Sequence, residues 1–380
     1  MPLLIDVMPL PAPLVRRASV EQVGSAFRHV LVPGDVGLID PEEVEVAAGQ
    51  RERPLRFTLR LDGKAPLLDS GLERPLGFTL CLDGKAALLD SGLERPLGFT
   101  EHLREQVTIV RGDLLEPSTV GAAVELARPA EIYHLAAPSF VPASWQQPGD
   151  TLVAIAGSAA SILDAVRRID PGTRVFIPAS GAIFGDAGES PQREDTCCRP
   201  ATPYAIAKLA AHQLVGALRA RDGLHASSGI TFNHESERRP EQFVSRRITR
   251  AAAAISLGLR QQLTLGDLDA VRDWSFAGDI VRGAWLMLQQ ESPDDYVLAS
   301  GVPRTVAELA RTAFACVDLD AERYLRVDRS LVRPAERTPS VGDPAKARER
   351  LGWKPQLSFG QLIERMVQAD LRSLQPVARS

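Results

Sequence analysis

The hydrophobic and polar positions after residue 105 alternate between two periods. Short apolar runs such as VTIVRGD (107–113) and RVFIPAS (174–180) predict strands, whereas YAIAKLAAHQLVGALRA (204–220) has the apolar face of a long helix. Strands that alternate with crossover helices predict an α/β fold with a doubly wound parallel sheet. The same patterns predict a strand and loop at 131–139, a strand at 228–234, a helix ending near 127, and helices at 158–169, 305–316 and 358–372.

The stretch VLVPGDVGLIDPEE (30–43) reads as a strand, a Gly-spaced turn and a helix start, which is typical of a Rossmann-type dinucleotide-binding fold. Gly34 and Gly37 keep the G-x-x-G-x-x-G spacing, but Asp40 stands where the third glycine is expected. Asp40 is a good N-cap, and the two glutamates after it suit a first helical turn. Those carboxylates would repel a pyrophosphate, so the phosphate site is predicted to be impaired.

The chain is predicted to contain three regions. An irregular Pro-rich leader covers 1–27, and a Rossmann-type dinucleotide-binding domain covers 28–230. Short strands and helices over 231–372 predict a smaller, mainly substrate-binding α/β subdomain on the carboxyl edge of the sheet, where such folds bind ligands.

A tandem repeat interrupts the first βαβ unit. RPLRFTLRLDGKAPLLDSGLE (53–73) is followed by RPLGFTLCLDGKAALLDSGLE (74–94), and a third copy begins at 95–100. The F-T-L-x-L alternation predicts a strand, and D-G predicts the turn after it. One interpretation is a recent duplication that forms a surface hairpin or loop. The other is that the copies compete to become the second strand of the sheet.

Composition and charge narrow the class of protein. The 380 residues carry a net charge of −4, which gives no general attraction to nucleic acid or anionic membranes. No apolar run approaches the ~20 residues that span a bilayer, and the N-terminus lacks the features of a signal peptide. The four cysteines show no C-x-x-C spacing, so we expect reduced thiols in a cytoplasmic protein and no metal site.

Three residues form a candidate catalytic set. Tyr204 and Lys208 lie four residues apart on the predicted helix and project from one face. An ammonium beside a phenol favours the phenolate, so Tyr204 is a candidate general acid/base with a lowered pKa. Ser180 ends a predicted strand at the same edge of the sheet and can share the oxygen of a substrate with Tyr204.

Several long, ordered segments resemble one family. They are FNHESERRPEQFVSRRITRA (232–251), LGDLDAVRDWSFAGDIVRGAWLMLQ (265–289), PDDYVLASG (293–301), RPAERTPSVGD (333–343) and KARERLGWKP (346–355). With the Ser, Tyr and Lys set, they make the chain similar to extended short-chain dehydrogenases/reductases, and most closely to GDP-mannose 4,6-dehydratases. The resemblance covers most of residues 107 to 372.

The resemblance implies a function and its residues. It implies transient hydride transfer to bound NADP (NAD is the other possibility), loss of water from a nucleotide sugar such as GDP-mannose, and a homodimer or homotetramer. Ser180, Tyr204 and Lys208 match the catalytic residues of the family. The residues that match its cofactor contacts are Gly34, Gly37, Asp113, Leu114, Leu135, Ala136, Ala137, Ser139, Tyr204, Lys208, His234 and Arg239. The expected substrate-binding residues are Asn233, Arg247, Arg272, Arg333 and Glu336.

The arginines of the 232–251 and 265–289 segments allow two interpretations. Their forked donors suit the two phosphates of a nucleotide. Alternatively, they form a solvated helix face and pair with Glu235, Glu237 and Glu241.

Two further residues depart from the family pattern. Ala182 stands where the dehydratases carry the glutamate that acts in water loss, and an alanine cannot move a proton. Ile155 replaces an asparagine. These departures, with Asp40, leave open an impaired dehydratase, a C4 reductase or epimerase of GDP-4-keto-6-deoxy sugars, and a non-catalytic homologue that binds a nucleotide or a partner.

Overall fold

A computed structural model describes residues 2–4, 77–82, 85–91, 109–331 and 338–375. The predicted strand at 29–33 and the glycine turn after it, with Gly34, Gly37 and Asp40, lie outside these residues, as do the first repeat copy, Arg333 and Glu336. Within the described part, no helix is long and apolar enough to cross a membrane.

Thirteen strands are described. They are β1 (Pro2–Leu4), β2 (Gly77–Leu82), β3 (Lys85–Ser91), β4 (Ile109–Arg111), β5 (Glu131–Tyr133), β6 (Arg174–Ser180), β7 (Ala226–Thr231), β8 (Asn233–Glu235), β9 (Leu263–Leu265), β10 (Val271–Phe276), β11 (Tyr296–Leu298), β12 (Pro303–Thr305) and β13 (Leu325–Val327).

Ten α-helices are described. They are α1 (Pro117–Ala127), α2 (Pro148–Leu152), α3 (Ser158–Ile169), α4 (Pro203–Asp222), α5 (Val244–Ser256), α6 (Ala277–Leu288), α7 (Val306–Ala315), α8 (Ala321–Tyr324), α9 (Ala345–Leu351) and α10 (Phe359–Leu374). A π-helical turn (Val153–Gly157) joins α2 to α3, and 3₁₀ turns lie at Val141–Trp145, Gly181–Ile183 and Arg329–Leu331.

The chain divides into two compact units. The first contains residues 1–177 and 210–227, and the second contains residues 178–209 and 228–380. In the first unit the strand order is β1-β4-β3-β2-β5-β6, with parallel β3–β4 and β5–β6 pairs. Helices α1 and α3 bury their apolar faces there, because their apolar residues recur at helical spacing, as at Ile162 and Val166.

The second repeat copy belongs to this sheet. Strands β2 and β3 form an antiparallel pair, and β2 also pairs antiparallel with β5. The hairpin prediction is therefore confirmed for this copy, and its strand β2 lies between β3 and β5 in the sheet. The described sheet of this unit is therefore mixed: β1 and β2 run antiparallel to their neighbours, whereas the β3–β4 and β5–β6 pairs are parallel.

In the second unit, the predicted strand at 228–234 divides into two. Strand β7 pairs in parallel with β11, whereas β8 pairs in parallel with β10. The chain changes partner at Phe232, so the three residues after it join a separate sheet of order β12-β10-β8. Helices α5, α7 and α10 enclose a core against this sheet that includes Ile248, Trp274, Leu309, Phe314 and Ile363.

Asp273 on β10 organises the loops of this unit. Its carboxylate is fully buried and accepts hydrogen bonds from Ser300 N (2.8 Å), Ser300 Oγ (2.6 Å), Gly301 N (2.8 Å) and Gly342 N (3.4 Å). Burial raises the pKa of this carboxyl, and these hydrogen bonds oppose the shift. Two loops that are distant in sequence are thereby fastened to one strand.

We predict that Asp273→Ala lowers the free energy of unfolding by about 3 kcal/mol or more, because it leaves several buried N–H donors without an acceptor. Urea denaturation followed by circular dichroism measures the change. The matched control is Asp269→Ala, at an exposed position of the same segment, which should stay within about 0.5 kcal/mol of wild type. Equal effects of the two variants would contradict the assignment.

Candidate active site

Strand β6 ends at Ser180, which is also the N-cap residue of the next element. Its Oγ accepts a hydrogen bond from Ala182 N at 3.3 Å and caps the 3₁₀ turn that follows. The residue between them must be glycine, because a Cβ on Gly181 would lie 2.8 Å from the ring of Phe232. The hydrogen bond from Ala182 N therefore helps to hold the Ser180 Oγ in place at the strand end.

Helix α4 presents Tyr204 and Lys208 on its first two turns. The buried Lys208 ammonium donates to the Pro178 carbonyl at 2.8 Å and lies 5.9 Å from the centroid of the Tyr204 ring. Tyr204 hydrogen-bonds to Ser180. The predicted catalytic set is therefore assembled within the second unit, between the end of β6 and the start of α4.

The electrostatics of this set differ from the expectation. Burial raises the pKa of Tyr204, while a hydrogen bond from Ser180 and the positive charge of Arg239 act in the opposite direction. The predicted lowering of that pKa by Lys208 is wrong for the protein alone, because burial is the largest effect and the nearby cation that acts is Arg239. Burial also lowers the pKa of Lys208 to about 8.

Strand β8 adds a neutral histidine. His234 Nδ1 lies 2.8 Å from the Phe232 carbonyl, which accepts a hydrogen bond, so Nδ1 carries the proton. Burial lowers the pKa of His234 to about 4, and the charges of Arg239 and Lys208 act in the same direction. At neutral pH this side chain is therefore uncharged, and Nε2 carries its lone pair.

Arg239 follows β8 and is held on two sides. Its Nε lies 3.1 Å from Glu235 Oε2, and its guanidinium carbon lies 3.5 Å from the centroid of the Phe243 ring. Glu235 is 2% exposed, and burial raises its pKa. Sequence reasoning proposed this acid as one of several partners for the arginines, but it could not assign the pair.

The other acids of the segment also pair with arginines. Glu237 binds Arg365 through both carboxylate oxygens (3.0 and 2.8 Å), and Glu241 lies 2.7 Å from Arg250. The predicted pairing of Glu235, Glu237 and Glu241 with arginines is thus confirmed. The predicted solvated helix face is wrong, because Glu235 is buried at the end of β8 and the other two acids precede α5. Three of the residues predicted to bind substrate lie in the described part of the chain. Arg247 is exposed, and Asn233 is the first residue of β8. The Arg272 guanidinium on β10 donates to the carbonyl of the preceding residue, Val271, at 2.7 Å.

The remaining described cofactor residues lie in the first unit, in loops after β4 and β5. Asp113 Oδ1 accepts from Leu115 N at 2.9 Å in a tight turn, and Leu114 is fully buried. After β5, Leu135 and Ser139 are exposed, Ala136 is buried, and Ala137 is half-buried. Both loops follow the carboxyl ends of strands that run in the same direction, which is where Rossmann-type sheets bind ligands.

Ile155, which replaces the expected asparagine, is a core residue. It is 2% exposed in the π-helical turn before α3. The neighbouring polar contact is made by Ser158, whose Oγ donates to the Ala154 carbonyl at 2.6 Å and lies 3.0 Å from His134 Nε2. A serine–histidine contact is therefore the buried polar interaction at this turn.

Comparisons with known proteins agree on one family. The family model for GDP-mannose 4,6 dehydratase matches residues 92–366. GDP-mannose 4,6 dehydratase 2 of Arabidopsis thaliana is 44% identical over 263 residues, which cover 68% of this chain and 70% of that protein. GDP-mannose 4,6-dehydratase of Yersinia enterocolitica is 38% identical over 290 residues, with 69% and 78% covered.

Solved structures share the fold. RMD from Pseudomonas aeruginosa complexed with NADPH has 25% identity and a TM-score of 0.64, with 70% of this chain and 88% of that chain covered. UDP-glucose 4-epimerase of Thermus thermophilus in complex with NAD has 23% identity and a TM-score of 0.63, with 76% and 91% covered. The prediction of a Rossmann-type α/β fold is confirmed.

The lowered pKa of His234 makes folding depend on pH. Between pH 6.5 and about 4 the unfolded chain binds a proton that the folded protein excludes, so stability rises with pH in this window and is lost as the pH falls. We expect this group to cost about 2 kcal/mol at pH 5 relative to pH 7. His234→Asn keeps a donor for the Phe232 carbonyl but does not titrate, so it should flatten the dependence. The free energy of unfolding of both proteins is measured by urea denaturation at each pH. An equal change with pH in the two proteins would contradict this assignment.

Proposed function

Because the chain belongs to the GDP-mannose 4,6-dehydratase family, we propose that it is a nucleotide-sugar 4,6-dehydratase that converts GDP-mannose to GDP-4-keto-6-deoxymannose. The observation that carries the proposal is the assembly of Ser180, Tyr204 and Lys208 at one strand end, inside the segment that the family model matches. This geometry suits removal of a hydroxyl proton at the sugar C4.

Tyr204 takes that proton, and Ser180 hydrogen-bonds to the same oxygen. The bond from Ser180 stabilises the phenolate, which offsets part of the burial that keeps the phenol protonated. Lys208 stabilises the arrangement because its bond to Pro178 holds the first turns of α4 against the end of β6. The nicotinamide cofactor, when bound, supplies reversible hydride transfer.

The residues around this set fit a dinucleotide. An ammonium has three donors, and the Pro178 carbonyl takes one from Lys208, so the ammonium can also serve ribose hydroxyls. In this proposal the residues that contact NADP are Gly34, Gly37, Asp113, Leu114, Leu135, Ala136, Ala137, Ser139, Tyr204, Lys208, His234 and Arg239. NAD is the alternative cofactor.

A second group of residues is proposed to bind the substrate. Asn233, Arg247, Arg272, Arg333 and Glu336 are proposed to bind the nucleotide sugar, and forked arginine donors suit its diphosphate. Asn233 directly precedes His234 on β8, which supports its nearness to the site. We further propose a cytoplasmic homodimer or homotetramer; the unpaired thiols of Cys197, Cys198 and Cys316 are compatible with a reducing compartment.

Ala182 supports a second candidate. Its methyl group supplies no acid or base, and its backbone N–H is engaged with Ser180. A C4 reductase or epimerase of GDP-4-keto-6-deoxy sugars needs proton transfer only at C4, for which Ser180, Tyr204 and Lys208 suffice. The two candidates therefore differ in whether water leaves the sugar.

The function is tested by incubating the protein with GDP-mannose and NADP. A dehydratase yields a product lighter by one water molecule in mass spectrometry, and Tyr204→Phe should slow its formation about 10²- to 10⁴-fold. Reduction of a supplied 4-keto sugar with consumption of NADPH, and no dehydration, would establish the second candidate. Tyr296→Phe, at a buried tyrosine on β11, is the matched control and should leave the rate largely unchanged.

A glutamate at position 182 should restore the missing acid/base. If water loss limits the rate, Ala182→Glu raises dehydration about 10²- to 10⁴-fold while hydride transfer at C4 is unchanged. Hydride transfer at C4 is measured separately, as the transfer of deuterium from C4-deuterated substrate to the cofactor. Ala187→Glu introduces the same charge at another half-buried alanine of this loop and should not accelerate water loss. No gain from Ala182→Glu would mean that another group performs the step.

A further inference from the structure

Two adjacent cysteines of the second unit have no role in the proposed reaction. Cys197 is exposed, Cys198 is half-buried, and both are free thiols in the loop before α4. Among the four cysteines of the chain, these are the two that follow one another directly. A pair of neighbouring thiols can complete a two-electron oxidation to a disulfide within one chain. Their placement therefore decides whether they can react together and what the reaction would change.

Both sulfur atoms lie along the same short backbone segment. Cys197 Sγ is 4.0 Å from the Cys198 carbonyl oxygen, and Cys198 Sγ is 3.9 Å from the Thr196 carbonyl oxygen. Each side chain thus extends beside the residue that carries the other. Thr196 is held in a closed turn, because Arg193 N donates to its Oγ1 at 2.9 Å and its own N–H donates to the Arg193 carbonyl at 3.1 Å. The two thiols are therefore kept close together at the end of this turn.

Cys198 shares its packing with the elements that carry the candidate catalytic residues. Its side chain packs against a buried apolar cluster, the Phe184 cluster, which Phe184 forms with Ala179, Ile183, Ile230, Phe232, Val297 and Ala299. Ala179 and Ile183 stand on either side of Ser180 in the sequence. Leu209, which follows Lys208 on α4, packs against the same cluster. Cys198 is thus in the core that supports both the end of β6 and the start of α4.

Backbone contacts connect the cysteine loop to the same two elements. Arg199 N donates to the Phe184 carbonyl at 3.2 Å, and a Cβ on Gly185 would lie 1.9 Å from the Arg199 carbonyl oxygen. Farther along the loop, Thr202 Oγ1 accepts a hydrogen bond from Ala205 N in the first turn of α4 at 3.1 Å. A displacement of Cys198 therefore acts on the turn after Ser180 and on the first turn of α4, where the candidate base lies.

A disulfide between Cys197 and Cys198 requires such a displacement. The peptide bond between them is trans, which places their Cα atoms about 3.8 Å apart. Disulfides usually join residues whose Cα atoms are about 4.4 to 6.8 Å apart. Ring closure therefore changes the local backbone and draws the Cys198 sulfur toward Cys197 and off the Phe184 cluster. A bond outside the usual geometry is also more easily reduced, so this oxidation is reversible.

We propose that Cys197 and Cys198 form a reversible dithiol–disulfide site, whose oxidation by a low-molecular-weight disulfide displaces Cys198 from the Phe184 cluster and slows the reaction at Tyr204. The expected effect on rate rests on the proposed function; the oxidation and the displacement do not. The reduced form is the active one.

The oxidation proceeds by two thiol–disulfide exchanges. The exposed Cys197 thiolate attacks one sulfur of the small disulfide, whose S–S bond breaks, and a first small thiol leaves. Burial, together with the nearby Cys197 charge, raises the pKa of the Cys198 thiol, which suits it to the second step. There the Cys198 thiolate attacks the Cys197 sulfur and displaces the second small thiol. Two electrons pass to the small disulfide, and the two protons of the protein thiols end on the two released thiols.

The test is incubation of the reduced, full-length protein with oxidised glutathione, followed by unfolding, alkylation of the remaining thiols and mass spectrometry of the peptide that contains both cysteines. We expect Cys197 and Cys198 to lose alkylation together, the peptide to lack both thiol hydrogens, and dithiothreitol to reverse the change. Cys198→Ser should stop at a glutathione mixed disulfide on Cys197, and Cys197→Ser should react much more slowly. Cys316→Ser removes another half-buried thiol and is the matched control; it should form the same ring as wild type.

The displacement is measured by hydrogen exchange of the segment around Arg199. Exchange should be faster in the oxidised protein, because ring closure weakens the bond from Arg199 N to the Phe184 carbonyl. In an active enzyme, oxidation should lower kcat about tenfold or more, since a misplacement of about 1 Å can cost about 10²-fold. Cys197→Ser and Cys198→Ser should keep their activity in oxidised glutathione, whereas Cys316→Ser should lose it as wild type does.

Three results would overturn the proposal. They are no reaction at Cys197 and Cys198, a mixed disulfide on Cys197 that persists in wild type without ring closure, and ring closure with unchanged exchange around Arg199. If Cys198→Ser does not fold, Cys198→Ala takes its place. Peptide mapping and hydrogen exchange require no substrate. A reduced wild type without dehydratase activity that still gives both expected changes would therefore overturn the proposed function alone.

Discussion

The hydrogen bond from the Lys208 ammonium to the Pro178 carbonyl is the contact on which the candidate site depends. It joins the second turn of α4 to the last residues of β6, and a buried ammonium without such an acceptor would be strongly disfavoured. The bond therefore helps to set the distance between Tyr204 and Ser180, which come from a strand and the next α-helix along the chain. The same exclusion of water raises the pKa of Tyr204 and lowers those of Lys208 and His234.

Phe232 has a comparable role for the strands. It stands where the chain leaves β7 and joins β10 through β8, and a Cβ on Gly181 or Gly342 would lie 2.8 or 2.7 Å from its ring. Two segments approach the aromatic ring without side chains of their own. This packing brings the residues after Phe232, including His234 and Glu235, to the end of the sheet at which Ser180 lies.

Local sequence pattern was sufficient for much of this architecture. The bounds predicted for α3 and β6 are those observed, because both have clear periodicity and sharp ends. The division of the 228–234 strand was not predictable, since a change of strand partner leaves no mark on local alternation. The sequence also supplied the acids and the arginines but not their pairing, so the cation that acts on Tyr204 was identified only from the structure.

The tight contact between Gly181 and Phe232 has a consequence for how such a site evolves. A Cβ at position 181 would collide with the Phe232 ring, whereas its neighbour Ala182 already carries a Cβ and is half-buried. Selection on the scaffold and selection on the chemistry therefore act on adjacent but separate positions. An exchange of the side chain at position 182 therefore leaves the backbone contact between Gly181 and the Phe232 ring to its own constraint.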